Sequence, residues 1–357
     1  MRRTVSVIVV TTTACNSNCS YCYIPECRRD NRKFGTDGLP ILIRNCALGF
    51  DHVEFYWHGG EPLLMGVDFY REAISIQKAV ARKNRTSFAN HVQTNGILLD
   101  SRWLDFFSEG DFHVGLSFDA PLEVHSVHRG LSPNYALRAA MLLKKHGFPL
   151  GVLCVVSALN VMRGEEIFRY FRDLGVSSYS LLPLKEMPLP HCPRGPTELA
   201  LAGLYRMTLD LWAGVESDIS CIEPLDTILR SLIGESPRGC SFGSPCLKRM
   251  ATIGPDGHVV PCGSMLTPEF SLGDVLKEPL LAILNERPAL QLRRLRARRV
   301  IQRCHGCEFL SICRGGCSAD SFLHSGVYAG AYPYCQARKD IFRYAREKLA
   351  ALLPYCS

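Results

Sequence analysis

The sequence predicts an α/β fold in which a partial (β/α)6 barrel over residues 1–214 precedes a second, cysteine-rich domain. Short apolar runs alternate with longer helical stretches up to about residue 214, and this alternation is typical of parallel strands joined by helices. Six such units are fewer than the eight of a closed barrel, so we expect an open barrel whose gap is covered by substrate or by another domain. After residue 214 the alternation ends and cysteines recur, which predicts a linker over 215–239, the cysteine-rich domain over 240–335 and a C-terminal helix over 336–357.

The first strand, predicted over residues 5–10, is nearly all apolar and β-branched, as in a strand buried on both faces of a parallel sheet. Cys15, Cys19 and Cys22 follow it directly in the run Cys-Asn-Ser-Asn-Cys-Ser-Tyr-Cys. Ligands bind outside the carboxyl ends of parallel strands, so this loop is well placed to hold one. Three thiolates at this spacing suit a four-iron cluster and leave one iron with a vacant position for chemistry.

Clustered cysteines also occur as disulfide partners, zinc ligands or a lipoprotein attachment site. A secreted protein or lipoprotein needs an apolar leader of about 7 to 15 residues, and the apolar run near the N-terminus is only the short predicted strand. Disulfide scaffolds are typically short secreted chains, whereas this chain has 357 residues, so a reducing cytoplasm is predicted. A zinc site is an alternative that the sequence does not exclude, because sets of thiolates suit both zinc and iron–sulfur clusters.

The cysteine run resembles the cluster loop of the radical S-adenosylmethionine (SAM) enzymes. This resemblance implies that Cys15, Cys19 and Cys22 hold a [4Fe-4S] cluster whose open iron binds SAM and delivers an electron to it. It also implies that Tyr21, just before the third cysteine, lies near the adenine of SAM; the alternative for Tyr21 is ordinary packing.

Polar segments follow the later strands, which are predicted over 53–57, 88–93, 113–118, 150–156 and 178–182. After the second strand comes the run His-Gly-Gly-Glu-Pro, whose glycines let the backbone approach a ligand closely. In radical SAM enzymes a Gly-Gly-Glu-Pro segment contacts the methionine amine of SAM, so the resemblance implies this role for Gly59, Gly60 and Glu61. It further implies that Ser117 hydrogen-bonds SAM and that Arg129 reaches a carboxylate; the alternative for Arg129 is a solvated loop arginine.

Eight cysteines recur in the second domain: Cys240, Cys246, Cys262, Cys304, Cys307, Cys313, Cys317 and Cys335. Eight thiols make two sets of four, and [4Fe-4S] clusters are commonly held by four cysteines. The arrangement resembles the SPASM extension of radical SAM enzymes, known from anaerobic sulfatase-maturating enzymes and maturases of ribosomally made peptides. The resemblance implies an inner auxiliary cluster on Cys240, Cys246, Cys262 and Cys317. It implies an outer auxiliary cluster on Cys304, Cys307, Cys313 and Cys335, so Cys317 crosses to the other cluster, as in two-cluster ferredoxins.

Six of the 17 cysteines remain outside these sets, namely Cys27, Cys46, Cys154, Cys192, Cys221 and Cys356. Cysteine is often buried as a small hydrophobic residue, and Cys154 lies within an apolar predicted strand. Cys27, five residues after Cys22, is either a pocket residue or an inert loop thiol, and we favour the second.

The resemblance implies a net two-electron oxidation, in which a 5'-deoxyadenosyl radical removes a hydrogen from an unactivated carbon and the auxiliary clusters accept an electron. We predict that the substrate is a peptide, oxidised or crosslinked as by peptide maturases. Because the chain starts almost at its first strand, a separate leader-recognition protein or a leader-independent substrate is expected. Dehydrogenation of a small-molecule alcohol, such as a sugar or cyclitol, is an alternative.

Formylglycine formation on a sulfatase is a further alternative, which one residue makes less favoured. In sulfatase-maturating enzymes an aspartate, proposed as the base, follows the cysteine that matches Cys262, whereas Gly263 stands there in this chain. Glycine has no titratable group, so Asp119, His58 or another residue would have to serve as the base.

The formal net charge is +7, and the run 291–303 is rich in arginine. We interpret this run as a solvated amphipathic helix that docks an acidic flavodoxin or ferredoxin as the electron donor. Nucleic acid is disfavoured, because neither a recognition fold nor interleaved aromatic residues accompany the arginines. No run reaches the ~18 apolar residues of a membrane helix. Non-enzyme alternatives are an iron–sulfur electron carrier and a zinc-binding interaction protein.

Overall fold

The computed structural model describes residues 3–24, 31–185, 192–237, 240–242 and 246–352. Cys27 and Cys356 lie outside the described residues. The described cysteines form no disulfide with one another.

A single sheet organises the described part of the chain. Its strands are β1 (Thr4–Thr12), β2 (His52–Gly59), β3 (Ser87–Thr94), β4 (Phe112–Ser117), β5 (Gly151–Val156), β6 (Ser178–Pro183), β7 (Cys221–Glu223), β8 (Met250–Ile253), β9 (His258–Val260) and β10 (Gly273–Asp274). The order across the sheet is β10-β9-β8-β1-β2-β3-β4-β5-β6-β7, and its two ends do not meet. Strands β1 to β7 run parallel to their neighbours. This open sheet confirms the predicted partial barrel.

Helices lie between the parallel strands, and further helices follow β7 and β10. They are α1 (Leu39–Ala47), α2 (Val67–Asn84), α3 (Ser101–Glu109), α4 (Leu122–Arg129), α5 (Asn134–Lys145), α6 (Gly164–Leu174), α7 (Glu198–Gly214), α8 (Leu225–Leu232), α9 (Leu280–Asn285), α10 (Arg287–Cys304), α11 (Leu310–Cys313), α12 (Ser318–Ser325) and α13 (Cys335–Leu352). The C-terminal α13 packs back against α7 and α8. Among the described residues, no helix combines the length and the apolar character that crossing a membrane requires.

Strand β2 shows how the two faces of the sheet differ. Val53, Phe55 and Trp57 are fully buried, and the Trp57 ring packs edge-on against Tyr70 of α2 with centroids 5.6 Å apart. The alternate residues, such as Tyr56 and His58, are half-buried and point to the other face, which we call the inner face. The period of two therefore separates an apolar layer under the helices from a more polar inner face.

Two features extend the sheet beyond the six predicted strands. Residues 215–239, expected as a linker, contain β7 and α8, and β7 pairs in parallel with β6 from Ser178–Cys221 to Ser180–Glu223. At the other end, β8 pairs in parallel with β1 from Ser6–Met250 to Val9–Ile253. The cysteine-rich region therefore continues the sheet of the barrel.

Candidate functional site

The loop after β1 brings Cys15, Cys19 and Cys22 close together. The Ser17 N–H donates to Cys15 Sγ at 3.4 Å, Ser17 Oγ lies 3.4 Å from Cys19 Sγ, and the Cys22 N–H donates to the Cys19 carbonyl at 3.2 Å. Burial raises the pKa of the Cys15 thiol to about 12, and the charges of Glu61, Cys19 and Cys22 add to this effect. The loop thus gathers three thiols at the carboxyl end of the first strand, where they fit a cluster with one iron left open.

The two glycines at the end of β2 contact the backbone of this cysteine loop directly. The Gly60 N–H donates to the Thr12 carbonyl at 2.8 Å, and the Glu61 N–H donates to the Ala14 carbonyl at 2.9 Å. A Cβ on Gly60 would lie 2.1 Å from the Ala14 carbonyl oxygen, and one on Gly59 would lie 2.4 Å from that of Thr12. Glycine is therefore required at both positions by the close approach of the two backbones.

Glu61 is buried and accepts hydrogen bonds from uncharged groups only. Its Oε1 accepts from the Leu63 N–H at 3.0 Å and from Thr94 Oγ1 at 2.7 Å, and its Oε2 accepts from the Asn95 N–H at 2.9 Å. Burial raises the pKa of Glu61 to about 7, against these three hydrogen bonds. The carboxylate ties the β2 loop to the end of β3, and its contact with the SAM amine stays a prediction.

Asp119, just after β4, is the centre of a buried network. It accepts from Arg129 through both oxygens (3.0 and 3.2 Å), from the Tyr21 hydroxyl at 2.7 Å and from the Val155 N–H at 2.7 Å. His128 Nδ1 lies 3.3 Å from Asp119 Oδ2. Burial alone would raise the pKa of Asp119, but the charge of Arg129 and the contact with His128 hold it well below its usual range. Asp119 is therefore an ionised structural carboxylate whose oxygens are already occupied.

This network holds two of the residues that were predicted to bind SAM. Arg129 is only 7% exposed, so it is not a solvated loop arginine. The Tyr21 ring lies 5.7 Å from the Arg129 guanidinium carbon and packs edge-on against His128. Sequence reasoning named Asp119 only as a substitute base, because no local pattern reveals that a residue ten positions later pairs with it. Ser117, at the end of β4, accepts from Gln93 Nε2 at 2.9 Å.

A second group of side chains lies around Gly263, between the two cysteine regions. A Cβ on Gly263 would lie 3.5 Å from Tyr23 Cε2 and would meet only ordinary contacts, so a Cβ fits at this position. His58 Nδ1 accepts from the Gly59 N–H at 2.8 Å, and burial lowers the pKa of His58. Its remaining ring nitrogen therefore carries the proton and has no lone pair to act as a base.

Lys185 stands beside the same region as a permanent cation. Its Nζ donates to Ser264 Oγ at 3.1 Å and lies 3.3 Å from Asp320 Oδ1. Burial opposes the charge of Lys185, but Asp320 and neighbouring thiols raise its pKa well above the usual value.

The structure brings the four cysteines of the predicted inner set together. Burial raises the pKa of Cys240, Cys246 and Cys317 to about 12, and in each case other members of the same set contribute through their charge. Cys262 is one of these contributors for all three. Cys317 thus lies with the inner cysteines, as the predicted cross-ligation requires.

The four cysteines of the predicted outer set line one cavity of about 230 Å³. Cys304, Cys307, Cys313 and Cys335 all contribute to its wall, together with Arg303, Arg338 and Lys339. Four thiols around one cavity fit a fully ligated cluster, in which iron keeps the thiols deprotonated. Which cysteine binds which cluster stays a prediction.

The predicted arginine-rich helix is α10, but three of its seven arginines are half-buried rather than solvated. Arg296 donates to the carbonyls of Arg314 and Gly316 and to Ser318 Oγ, at 2.7 to 3.2 Å. Arg293 donates to the Leu247 carbonyl, and Arg299 to that of Tyr328. These arginines satisfy carbonyls of the loops around the inner cysteines, while Arg294, Arg298 and Arg303 are exposed.

The described cysteines outside the cluster sets divide by burial. Cys46 and Cys154 are fully buried in the main hydrophobic core, as expected of small hydrophobic residues. Cys192 and Cys221 are half-buried. Cys221 lies near Glu223 and Asp226, and Arg230 already pairs with Asp226 at 2.8 Å.

Two family models match the chain. The model of the radical SAM superfamily matches residues 9–179, and that of an iron–sulfur cluster-binding domain, SPASM, matches residues 240–308. Among curated proteins, the cysteine-type anaerobic sulfatase-maturating enzyme of Clostridium perfringens (strain 13 / Type A) is 27% identical over 360 residues, which cover 94% of this chain and 94% of the relative.

Solved structures give the same fold. Native anSMEcpe with bound AdoMet and Cp18Cys peptide matches with a TM-score of 0.85 at 23% identity, over 99% of both chains. Streptococcus suis SuiB bound to its precursor peptide SuiA matches with a TM-score of 0.69 at 16% identity, over 94% of this chain and 76% of that chain. At these identities the two likenesses concern the fold.

Proposed function

We propose that this chain, which is a radical SAM enzyme with a C-terminal SPASM domain, oxidises a side chain of a peptide by two electrons and so dehydrogenates or crosslinks it. A peptide substrate is supported by the curated relative, which matures a sulfatase, and by the two solved structures, which contain bound peptides. The match to an enzyme family argues against an electron carrier or a zinc-binding interaction protein.

The observation that carries the choice of reaction is the state of the polar groups named as possible bases. Position 263 is a glycine, the oxygens of Asp119 are occupied by four donors, and His58 Nδ1 accepts a backbone hydrogen bond. Lys185 is held in its charged form by Asp320. None of these four residues is therefore a ready base, so a reaction at a carbon that needs no prior deprotonation of a thiol or hydroxyl fits best.

The radical SAM and SPASM domains imply SAM and [4Fe-4S] clusters as cofactors. When bound, they supply a 5'-deoxyadenosyl radical that removes a hydrogen atom, and auxiliary clusters that accept an electron. The chain's own part is to position these groups. Gly59 and Gly60 hold the β2 loop against the cysteine loop, Glu61 supplies a negative charge beside it, and the Asp119 network fixes Tyr21 and Arg129.

Formylglycine formation on a sulfatase is the second candidate, because the sulfatase-maturating relative covers 94% of this chain. Formylglycine formation needs a base beside Cys262, whereas the proposed oxidation at a carbon does not. Since a Cβ at position 263 makes only ordinary contacts, the variant Gly263→Asp introduces a carboxylate where the wild-type chain has none.

We further propose that an acidic one-electron donor docks on the exposed arginines of α10. Arg294, Arg298 and Arg303 are exposed, and Arg303 also lines the outer cavity. Attraction between exposed charges weakens as salt rises, because the Debye length falls from about 10 Å at 0.1 M to about 3 Å at 1 M. Reduction by an acidic donor should therefore slow with salt.

The test is anaerobic reaction of the enzyme with SAM, a reductant and two kinds of peptide. One kind is the short peptides encoded beside the gene, and the other is a sulfatase-type peptide with a Cys or Ser target. We expect the wild-type enzyme to remove two hydrogens from a peptide encoded beside the gene. We expect the sulfatase-type peptide to give an aldehyde only with the Gly263→Asp variant. Mass spectrometry reads both products, with Cys19→Ala as the inactive control.

An aldehyde formed by the wild-type enzyme would establish the second candidate instead. An unchanged set of peptides together with an oxidised sugar or cyclitol would contradict a peptide substrate.

A further inference from the structure

Arg338 of α13 is a buried cation. It is 6% exposed and lines the cavity of the outer cysteines. Arg343 and Arg346 on the same helix pair with Glu308 at 3.1 and 3.0 Å. Arg338 makes no such ion pair with any carboxylate in the part of the chain that the structure describes.

The surroundings of Arg338 hold its guanidinium in place but do not neutralise it. The guanidinium carbon lies 4.1 Å from the centre of the Tyr332 ring and 4.5 Å from that of Phe242. Its Nη1 lies 3.7 Å from Cys313 Sγ. Aromatic faces attract a cation but carry no net charge, and arginine stays protonated in proteins.

A buried charge is costly unless an opposite charge compensates it. The groups that can supply negative charge within this cavity are the four cysteine thiols, since the other wall residues are neutral or basic. A [4Fe-4S] cluster held by four thiolates carries a net negative charge, and that charge grows by one on reduction. Arg338 and such a cluster therefore compensate each other.

The inner cysteines have a different environment. Lys185, one of the cations beside them, is already paired with Asp320 at 3.3 Å. At the outer site, by contrast, Arg338 has no such ion pair among the described residues.

We propose that Arg338 is the counterion of the outer iron–sulfur cluster and raises its reduction potential. Net charge and hydrogen bonds to the sulfurs are two of the factors that set such potentials. An added electron is stabilised by the adjacent cation, so the reduced form gains more from Arg338 than the oxidised form. The inference concerns the protein without substrate, so it holds or fails independently of which molecule is oxidised.

The test is a redox titration of the iron-loaded full chain, followed by electron paramagnetic resonance without SAM or substrate. The outer-cluster signal is identified as the one that Cys335→Ser alters. We expect Arg338→Gln to lower the equilibrium constant for reduction of this cluster about tenfold, which is about 59 mV for one electron. The other cluster signals should keep their potentials.

Two variants on the same helix separate charge from structure. Arg338→Lys keeps the positive charge and should recover most of the tenfold loss. Arg343→Gln removes an arginine that is paired with Glu308 at the surface and should leave all potentials unchanged.

An unchanged outer potential in fully loaded Arg338→Gln would overturn the proposal, as would an equal shift in Arg338→Lys. If Arg338→Gln fails to retain the outer cluster, iron content decides. Iron retained by the Arg338→Lys variant supports the role of Arg338 as a counterion. Equal loss of iron from both variants shows a purely structural role and overturns the proposal.

Discussion

At the residue scale, two buried carboxylates show how their partners set opposite proton affinities. Asp119 is surrounded by a cation and three further donors, which overcome the effect of burial and hold its pKa well below the usual range. The described donors to Glu61 are uncharged, so the effect of burial outweighs that of its hydrogen bonds and raises its pKa to about 7. Asp119 thus stays ionised at all physiological pH values, while Glu61 changes its charge near neutrality.

The shifted pKa of Glu61 predicts a pH dependence of SAM binding. On the prediction that Glu61 contacts the amine of SAM, the ionised carboxylate attracts the ammonium group, and this ionised form predominates above the pKa of about 7. We therefore expect affinity to rise from pH 6 to pH 8, with a loss of up to about tenfold per pH unit below the pKa. Anaerobic equilibrium dialysis of SAM measures this dependence.

The matched control is Glu61→Gln, which cannot ionise and should bind SAM weakly at every pH. Wild-type binding that is flat across this range, or a Gln variant with the same slope, would contradict the role of Glu61.

At the scale of single elements, the loop after β2 acts as the support of the cysteine loop after β1. A Cβ on Gly60 would lie 2.1 Å from the Ala14 carbonyl oxygen, a distance that real Cβ atoms do not adopt. We expect Gly60→Ala to displace the cysteine loop and to lose the iron of the N-terminal cluster, with SAM cleavage falling to background. Iron analysis and deoxyadenosine production measure the two effects.

Gly203→Ala in α7 is the control, because the added Cβ has no heavy atom within 4 Å apart from its chain neighbours and the backbone of its own helix. That variant should keep its iron and its activity. Full iron and full SAM cleavage in Gly60→Ala would show that the loop tolerates the displacement.

Elements with a strong local signal could be predicted from the sequence, whereas those with long-range partners could not. The apolar runs predicted the six barrel strands, and the resemblance to the SPASM extension predicted two sets of cysteines that the structure brings together. Strands β7 and β9 have only three residues each, too few for a period to emerge. The partners of Arg129 and Arg296 depend on tertiary packing, so the sequence named neither Asp119 as the partner of Arg129 nor the carbonyls that Arg296 contacts, and Arg296 was expected to be solvated.

At the scale of the whole molecule, the cysteine-rich region and the barrel share one sheet. Strand β8 covers the edge of β1 opposite β2, and the buried Asn45 side chain of α1 donates to the Val275 carbonyl at 2.7 Å. Helix α13 closes back on α7 and α8. The two regions are therefore parts of one folded unit.

This sharing predicts that residues 1–239 alone are not a stable protein. Without β8, the apolar edge of β1 has unpaired backbone groups, which favour association with other chains. We expect this fragment to elute as aggregates in size-exclusion chromatography, while the full chain under the same conditions is not aggregated. A monomeric fragment with a cooperative unfolding transition would contradict the prediction.

The pairing of β1 with β8 also has a consequence for synthesis of the chain. Ser6 emerges from the ribosome long before its partner Met250, and at about 5–20 residues per second the delay is roughly 10 to 50 seconds. During that time the first strand exists without its later neighbour, and the last cysteines have not yet been made. A chaperone that binds the nascent strand would therefore act before the enzyme can be loaded with all of its iron.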